Sequence, residues 1–472
     1  MFDVVVIGGG VVGTAIFSKL TRIGLNAALI EKENDVGFGS SKANSGLIHA
    51  GFDARPGTLK AKLNVRGNYL YDEISKKLNI PFTRNGHLVV GNDLDKIKEL
   101  YDRGQKNKVP DLKILNADEL AKLEPNLNKD IKFALFAKTG GLVSSYDLPI
   151  AFAEDGIVNG GKVFLSFITL KIKKQKDIFV ITSKDKIEVK SKVIINACGA
   201  GFNDISKLIG AEIYPLTFKR GEYFILDKSE EGFVKRTIFP LPDKGTKGVL
   251  ITPTIHGNTL VGPTSYLSDA STITTREGLS EIAEKSKMMS SSVPLNKTIR
   301  VFSGVRNISG DDFIIEKSNR VNGVINVCGI CSPGLSSAPA IAEYVARLLG
   351  LDPTKEVKDN RRKGYIDFKK LSINELNKKI KENSDIGTII CRCENISLYE
   401  IKQALSSPLP ANSVDGIKRR VRAGMGRCQG GFCLSKVMEE IKSNKKCKYE
   451  EVLKDKKGSN IIVSSIEGGS LW

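Results

Sequence analysis

Residues 2–7 (Phe-Asp-Val-Val-Val-Ile) form a short apolar run that stops at Gly8-Gly9-Gly10-Val11-Val12-Gly13. A helical stretch then runs to Gly24, and residues 27–30 form a second apolar run closed by Glu31. Strand, glycine turn, helix, strand and acid make a complete βαβ unit. A loop over 37–55, rich in small and polar residues, leads into a helix ending near Leu78. Residues 86–91 and 141–143 read as short strands around a lysine-rich helical stretch, and another helix starts at Leu148. Strand-like runs follow at 162–165, 169–172, 179–182 and 193–197. From 216 to 301, apolar pieces at 222–226, 249–252 and 259–261 alternate with turns, which predicts antiparallel sheet. Residues 324–328 read as a last buried strand, and 338–349 as a helix after Pro333-Gly334. Residues 353–386 hold 10 Lys/Arg against 6 Asp/Glu and few apolar residues, which suits a solvated connector. A compact module begins near Ile389, and no internal repeat is visible.

Composition narrows the class. The 472 residues allow two to four domains at roughly 100–200 each. No run approaches the roughly 18 apolar residues of a membrane span, and Asp3 sits where a basic leader would begin, so the expectation is a cytoplasmic protein. The net charge of +19 suits nucleic acid, an anionic membrane face or an anionic substrate. Its lysines are scattered and no nucleic-acid signature accompanies them, so we expect a small anion and no nucleic acid. Peripheral membrane association stays open. Cys391, Cys393, Cys428, Cys433 and Cys447 crowd the last fifth of the chain, and a reducing compartment favours a metal or cluster there over disulfides.

The glycine turn lets backbone approach a pyrophosphate at a helix N-terminus, and Glu31 is placed for a ribose diol. Ser40-Ser41-Lys42-Ala43-Asn44-Ser45-Gly46-Leu47-Ile48-His49-Ala50-Gly51 adds hydroxyls and amides beyond that acid. With Asn196-Ala197-Cys198-Gly199 and Gly329-Ile330-Cys331-Ser332-Pro333-Gly334-Leu335, these segments would converge on a large flat cofactor. On these residues, with Gly262-Pro-Thr264 and Ser303-Gly-Val-Arg306, the chain over 1–350 resembles the D-amino-acid-oxidase-like FAD oxidoreductases. More narrowly it is similar to the type 2 glycerol-3-phosphate dehydrogenases and oxidases, with L-2-hydroxyglutarate oxidases as relatives. The resemblance implies an α/β fold: a Rossmann-like FAD-binding domain with an antiparallel-sheet substrate domain. It implies FAD contacts at Gly8, Gly10, Val12, Gly13, Glu31, Lys32, Ser40, Ser41, Asn44, Ser45, Gly46, Leu47, Leu170, Ala197, Gly199, Gly329, Pro333, Gly334, Leu335 and Ser336.

The resemblance also implies hydride transfer from substrate carbon to flavin N5. That needs a base for the hydroxyl proton, and His49, whose imidazole titrates near neutral pH, is the candidate. His87 and His256 read as structural. Arg306 offers a planar fork for the substrate's carboxylate or phosphate, and Arg220 and Tyr223 fall where the family places residues over the flavin. The stretch after Thr264, Ser265-Tyr-Leu-Ser-Asp-Ala-Ser271, lacks the lysine expected of glycerol-phosphate relatives, which leaves phosphate and carboxylate both open.

Cys391-x-Cys393, 34 residues, then Cys428-x4-Cys433 can close four thiolates around an inorganic core, zinc or Fe–S by spacing alone. Ser397 and Glu400 predict a capped helix between them. Cys-Arg-Cys-Glu394 and Gly426-Arg-Cys-Gln-Gly-Gly-Phe-Cys433 resemble the bacterioferritin-associated-ferredoxin-like domain, which implies a [2Fe-2S] cluster. Lys418, Arg419, Arg420, Arg422 and Arg427 would offset its charge or steer an acidic partner. Cys198, Cys328 and Cys331 read as packing residues, and Cys447 is unassigned.

The expected domains are FAD-binding (1–85, 145–215, 302–352), substrate-binding (86–144, 216–301), linker (353–386), [2Fe-2S] (387–447) and a tail (448–472). The function these imply is oxidation of sn-glycerol 3-phosphate to dihydroxyacetone phosphate, with electrons passing through the cluster to a partner flavoprotein or iron–sulfur protein. The alternatives are a 2-hydroxy-acid (L-2-hydroxyglutarate) or amino-acid dehydrogenase, a non-catalytic electron-transfer subunit, and a flavoprotein acting on RNA.

Overall fold

In the computed structural model, which describes residues 1–242 and 248–464, the first sheet grows from the glycine-turn unit. Phe2–Ile7 lies between Ala27–Ile30 and Glu188–Asn196, parallel to both, with Val4 opposite Ala27 and Val193. Val324–Cys328 adds a further parallel strand at Ile194–Asn196, and Thr169–Gln175 with Ile178–Ser183 extends the edge as an antiparallel pair. Helices Val11–Arg22, Asp147–Val158 and Gly334–Leu348 cover one face. Near-continuous Val/Ile/Leu runs belong here because both faces of a parallel sheet are buried. Val5, Val6, Leu29, Ile194 and Ile195 are all completely buried.

A nine-stranded, largely antiparallel sheet forms the second layer. It joins His87–Gly91, Leu112–Asn116 and Phe133–Ala137 from the first third of the chain to strands between Thr217 and Ile308. Thr298–Ile308 pairs with Thr217–Leu226 along nearly its whole length, Arg306 opposite Lys219 and Arg300 opposite Ile225. A domain boundary at 302 therefore cuts through a strand, and Arg306 belongs to this sheet rather than to the nucleotide-binding one.

The segment over 353–386 departs from a solvated connector. Its first half is strapped to the back of the nucleotide-binding layer. Arg362 is 3% exposed, pairing with Glu154 at 2.7 Å and donating to the Leu78 carbonyl. Arg22 holds Asp155 at 2.5 Å and Asp359 at 2.8 Å. Basic residues that look solvated in sequence are here because buried carboxylates need partners. Only the later helix, Ile373–Glu382, buries no residue.

The C-terminal module has its own core, packed from Ile396, Ile401, Ala404, Ile417, Val437 and Ile441. Ser397 and Glu400 make the expected reciprocal cap on helix Leu398–Leu405. The segment beyond Cys447 continues into this core through Val452, and 465–472 of the expected tail lies outside the described residues. Among the described residues no helix is long and apolar enough to cross a membrane.

Candidate functional site

A cavity of about 410 Å³ runs between the two sheets, from Glu31 and Lys32 at one end to Tyr223, Phe239 and Arg306 at the other. Its nucleotide end depends on absent side chains. A Cβ on Gly13 would lie 1.9 Å from the Gly8 carbonyl oxygen, and one on Gly8 would lie 2.5 Å from that of Ala197. Gly8 also takes a φ of +114°, which disfavours any larger residue. The Glu31 carboxylate accepts N–H bonds from Gly9 at 2.6 Å and Glu33 at 2.9 Å. Burial raises its pKa, an effect those two N–H groups partly offset. Ser41 caps the turn by accepting from Val11 N–H at 2.9 Å.

Gly8, Gly10, Val12, Glu31, Lys32, Ser40, Ser41, Asn44, Ser45, Leu47, Ala197, Gly199, Pro333, Gly334 and Leu335 all line this cavity. Five expected contacts do not. Leu170 is 58% exposed on the edge strand Thr169–Gln175, so it is displaced from the cavity altogether. Gly13 packs under the turn. Gly46 and Gly329 shape the backbone behind the lining, where Cβ atoms would press on Val143 and Ser309. Ser336 is fully buried, its hydroxyl accepting from His49 N–H at 2.7 Å and donating to the Leu47 carbonyl. It ties the helix Gly334–Leu348 to the loop that carries His49.

His49, Tyr223 and Arg306 meet at the other end. The His49 backbone is triply fixed, since its carbonyl also accepts from Asn64 and Asn68 at 3.0 Å each. Its Nε2 lies 3.4 Å from the Ser332 hydroxyl. Its ring packs 5.8 Å from His87 and 6.0 Å from Phe239. His87, which the sequence sets aside as structural, thus stands directly behind the candidate base, and its fully buried place was not readable from its neighbours in the chain. Phe239, Ser332 and Pro263 also reach the cavity. Of these only Ser332 and Pro263 stood in quoted motifs.

Arg306 lies across the next strand because Gly221 leaves room: a Cβ there would sit 3.3 Å from the guanidinium and 2.8 Å from Pro263. One N–H of Arg306 bonds the Thr264 carbonyl at 2.9 Å, and among the described residues no carboxylate pairs with it. A half-buried guanidinium without a counter-ion, beside a cavity, is suited to an anion. Tyr223 stacks on Phe302 at 4.8 Å. Burial raises its pKa, and Arg306 and the Ser45 hydroxyl pull it back.

Arg220 is a correction. Side chains alternate along a strand, so with Gly221 and Tyr223 toward the cavity, Arg220 and Glu222 face the other way. There Arg220 pairs with Glu222 at 3.1 Å, and Glu222 also accepts from Thr275. Arg220 does not line the cavity.

In the cysteine module the four thiols form two couples, Cys391 with Cys433 and Cys393 with Cys428. Among the described residues no three His, Cys, Asp or Glu side chains gather around a single-ion site. Two thiol couples can supply a two-iron core, each iron taking two thiolates. Amide N–H groups of Gly424 and Glu394 point at Cys391, and those of Gly430 and Phe432 at Cys428. The Cys433 thiol and these amides pull Cys391 down to about 6.

The module's arginines have another task than the sequence suggests. Arg419 and Arg420, each 5% exposed, clamp Asp35 at 3.1 and 2.8 Å, three residues beyond Lys32 in the cavity wall. Arg422 pairs with Glu394 and donates to the Tyr146 hydroxyl at 2.7 Å. Arg427 reaches Asp227. They fasten the module to the other two layers. His256, stacked on Tyr146 at this seam, is held neutral by burial and by Arg422.

Residues 3–348 match the FAD dependent oxidoreductase family, and residues 389–443 the BFD-like [2Fe-2S] binding domain. The chain is 44% identical to the glycerol 3-phosphate dehydrogenase of Caloramator mitchellensis over 98% of both chains. It is 30% identical to the glycerol 3-phosphate oxidase of Mycoplasma pneumoniae, over 75% of this chain and 96% of that one. The solved structure of dithionite-reduced L-alpha-glycerophosphate oxidase from Mycoplasma pneumoniae, with FAD bound, superposes with a TM-score of 0.72. It is 29% identical and covers 76% of this chain and 97% of its own.

Proposed function

The chain belongs to the FAD dependent oxidoreductase family, and from that premise we propose that it oxidises sn-glycerol 3-phosphate to dihydroxyacetone phosphate. Electrons would leave through the C-terminal [2Fe-2S] module to a redox partner, itself a flavoprotein or iron–sulfur protein. The observation that carries the reading is Arg306, a guanidinium with no counter-ion among the described residues, in the wall of the cavity.

Bound FAD supplies an acceptor for the hydride from the substrate's carbinol carbon, and the cluster a carrier of single electrons. Arg306 takes the substrate's phosphate and so fixes which carbon faces the cofactor, and fixed orientation supplies much of such a rate. His49 accepts the hydroxyl proton at Nε2, the nitrogen beside the Ser332 hydroxyl. The tie between His49 N–H and Ser336 keeps that imidazole aimed while the proton moves. Tyr223 lines the wall beside Arg306. The layer beyond Arg220 contributes sheet stability only. Cys391, Cys393, Cys428 and Cys433 hold the cluster.

An anaerobic titration with a substrate panel tests this. Bleaching of the flavin band by glycerol 3-phosphate, and by neither L-2-hydroxyglutarate nor amino acids, is expected. Bleaching by a 2-hydroxy acid alone would overturn the substrate.

A further inference from the structure

The four cysteines are not equally placed: Cys391 and Cys433 are 1% and 2% exposed, while Cys393 and Cys428 are open to solvent. A core held by all four therefore has one edge in the module's interior and one at its surface. Around the surface edge stand Arg392, Phe432 and Lys436. Phe432 is 42% exposed, in a module whose other apolar side chains mostly pack inward. The Arg392 guanidinium lies 4.3 Å from its ring centroid and the Lys436 ammonium 5.4 Å from it.

Several of the module's cations lack a carboxylate partner among the described residues, Lys442, Lys445, Lys446 and Lys448 with them, and what sets this group apart is the exposed ring beside the open cysteines. Arg419, Arg420, Arg422, Arg427, Lys402 and Lys418 all pair with carboxylates. Among the described residues neither Arg392 nor Lys436 does, and the exposed Glu439 on the same helix as Lys436 forms no ion pair with either. An exposed aromatic flanked by unpaired cations has the composition of an interface centre, where aromatic residues and Arg are enriched. Electron tunnelling falls steeply with distance, so a partner must bring its own centre to this edge.

We propose that the Arg392–Phe432–Lys436 rim is the docking face for the electron acceptor, a one-electron carrier protein whose redox centre is ringed by carboxylates. The inference rests on the reading of this module as a [2Fe-2S] domain. One electron crosses the face per encounter, from the reduced module to the oxidised partner, so two encounters complete one substrate oxidation. Such transient contacts are small, below about 1,200 Å² in total, and are steered by opposite charge.

The test uses holoenzyme reduced with dithionite, which makes it independent of the substrate. Reoxidation of the cluster is followed by rapid mixing with ferricyanide, an anionic one-electron oxidant, or with hexaammineruthenium(III), a cationic one. In R392E/K436E the ferricyanide rate is expected to fall about tenfold at low salt, the low end of electrostatic steering, while the ruthenium rate rises. Equal rates in wild type and variant, with the reduced-cluster EPR signal intact in both, would overturn the docking face alone. Absence of that signal in the wild type would overturn the reading of the module, and the face with it. A concentration-dependent dimer in sedimentation that R392E/K436E abolishes would also overturn the proposal, assigning the face to a second copy.

Discussion

Arg306 faces a cavity with one hydrogen bond to a carbonyl, whereas Arg420 has the Asp35 carboxylate across both of its terminal nitrogens. The two guanidiniums are chemically identical, but Arg420 is buried and Arg306 half-buried. Arg420 is committed to the protein itself: Asp35, the Gly416 carbonyl and the Leu409 carbonyl accept from its two terminal nitrogens, and only its Nε is left over. Burial works against its charge, but Asp35 outweighs burial and raises its pKa further. Arg306 opens onto the cavity instead. An arginine whose terminal nitrogens are held by a protein carboxylate fastens layers together, and one without such a partner beside a cavity is where a ligand's charge belongs. Substituting each in turn should therefore cost different things.

Replacing Arg306 by methionine should leave folding alone and remove substrate recognition. We expect kcat/KM for glycerol 3-phosphate to fall by about 10²–10³-fold, matching about 3–4 kcal/mol for a truncated charge pair. Flavin content and thermal midpoint should be unchanged. Arg420→Met should do the reverse. It leaves the buried Asp35 carboxylate to Arg419 alone, a loss of up to about 3–5 kcal/mol, so the midpoint drops by several degrees while glycerol 3-phosphate still bleaches the flavin at low temperature. If Arg420→Met lost substrate binding at full stability, the comparison would fail.

A milder test uses pH. Asp35, buried, and Asp147, half-buried, are acids near Arg420 shifted oppositely. Burial raises Asp35, but Arg420 and Arg419 outweigh it and pull the carboxyl below the ordinary range. Its contribution to stability is present above its unfolded value and lost as pH falls through the lowered one. Asp147 is pushed up to about 6 by burial, against the pull of Arg362 and with Glu154 adding to the rise. Its contribution is full below the unfolded value near 3.8 and is lost as pH rises through about 6. Asp147→Asn should therefore be more thermostable than wild type near pH 8, with the advantage shrinking toward pH 5 in calorimetry. The smallest effect on turnover is expected at Arg220, whose lysine variant should change kcat/KM by less than about threefold, since it keeps a cation beside the buried Glu222 and does not line the cavity.

Much of the nucleotide end was readable along the chain. Gly8, Gly13 and Glu31 announce themselves because backbone approach and ribose recognition need those residue types at that spacing. The capped helix after Ser397 followed from two residues. What could not be read is whatever depends on strand parity or distant burial. Arg220 and Arg306 look alike in sequence, and only the register of Thr217–Leu226 against Thr298–Ile308 turns one away and the other inward. The strands Leu112–Asn116 and Phe133–Ala137 escaped notice because their partners lie in distant segments. Arg419 and Arg420 resembled a charged surface run because their counter-ion, Asp35, lies far back in the chain.

Rapid anaerobic mixing of oxidised holoenzyme with sn-glycerol 3-phosphate, followed at the flavin absorption and by freeze-quench EPR of the cluster, tests the account most directly. The flavin band should bleach first and the reduced-cluster signal should grow after it, and Arg306→Met should show neither at the same substrate concentration. Full bleaching in Arg306→Met at the wild-type rate, or a cluster that stays oxidised over many turnovers, would contradict it.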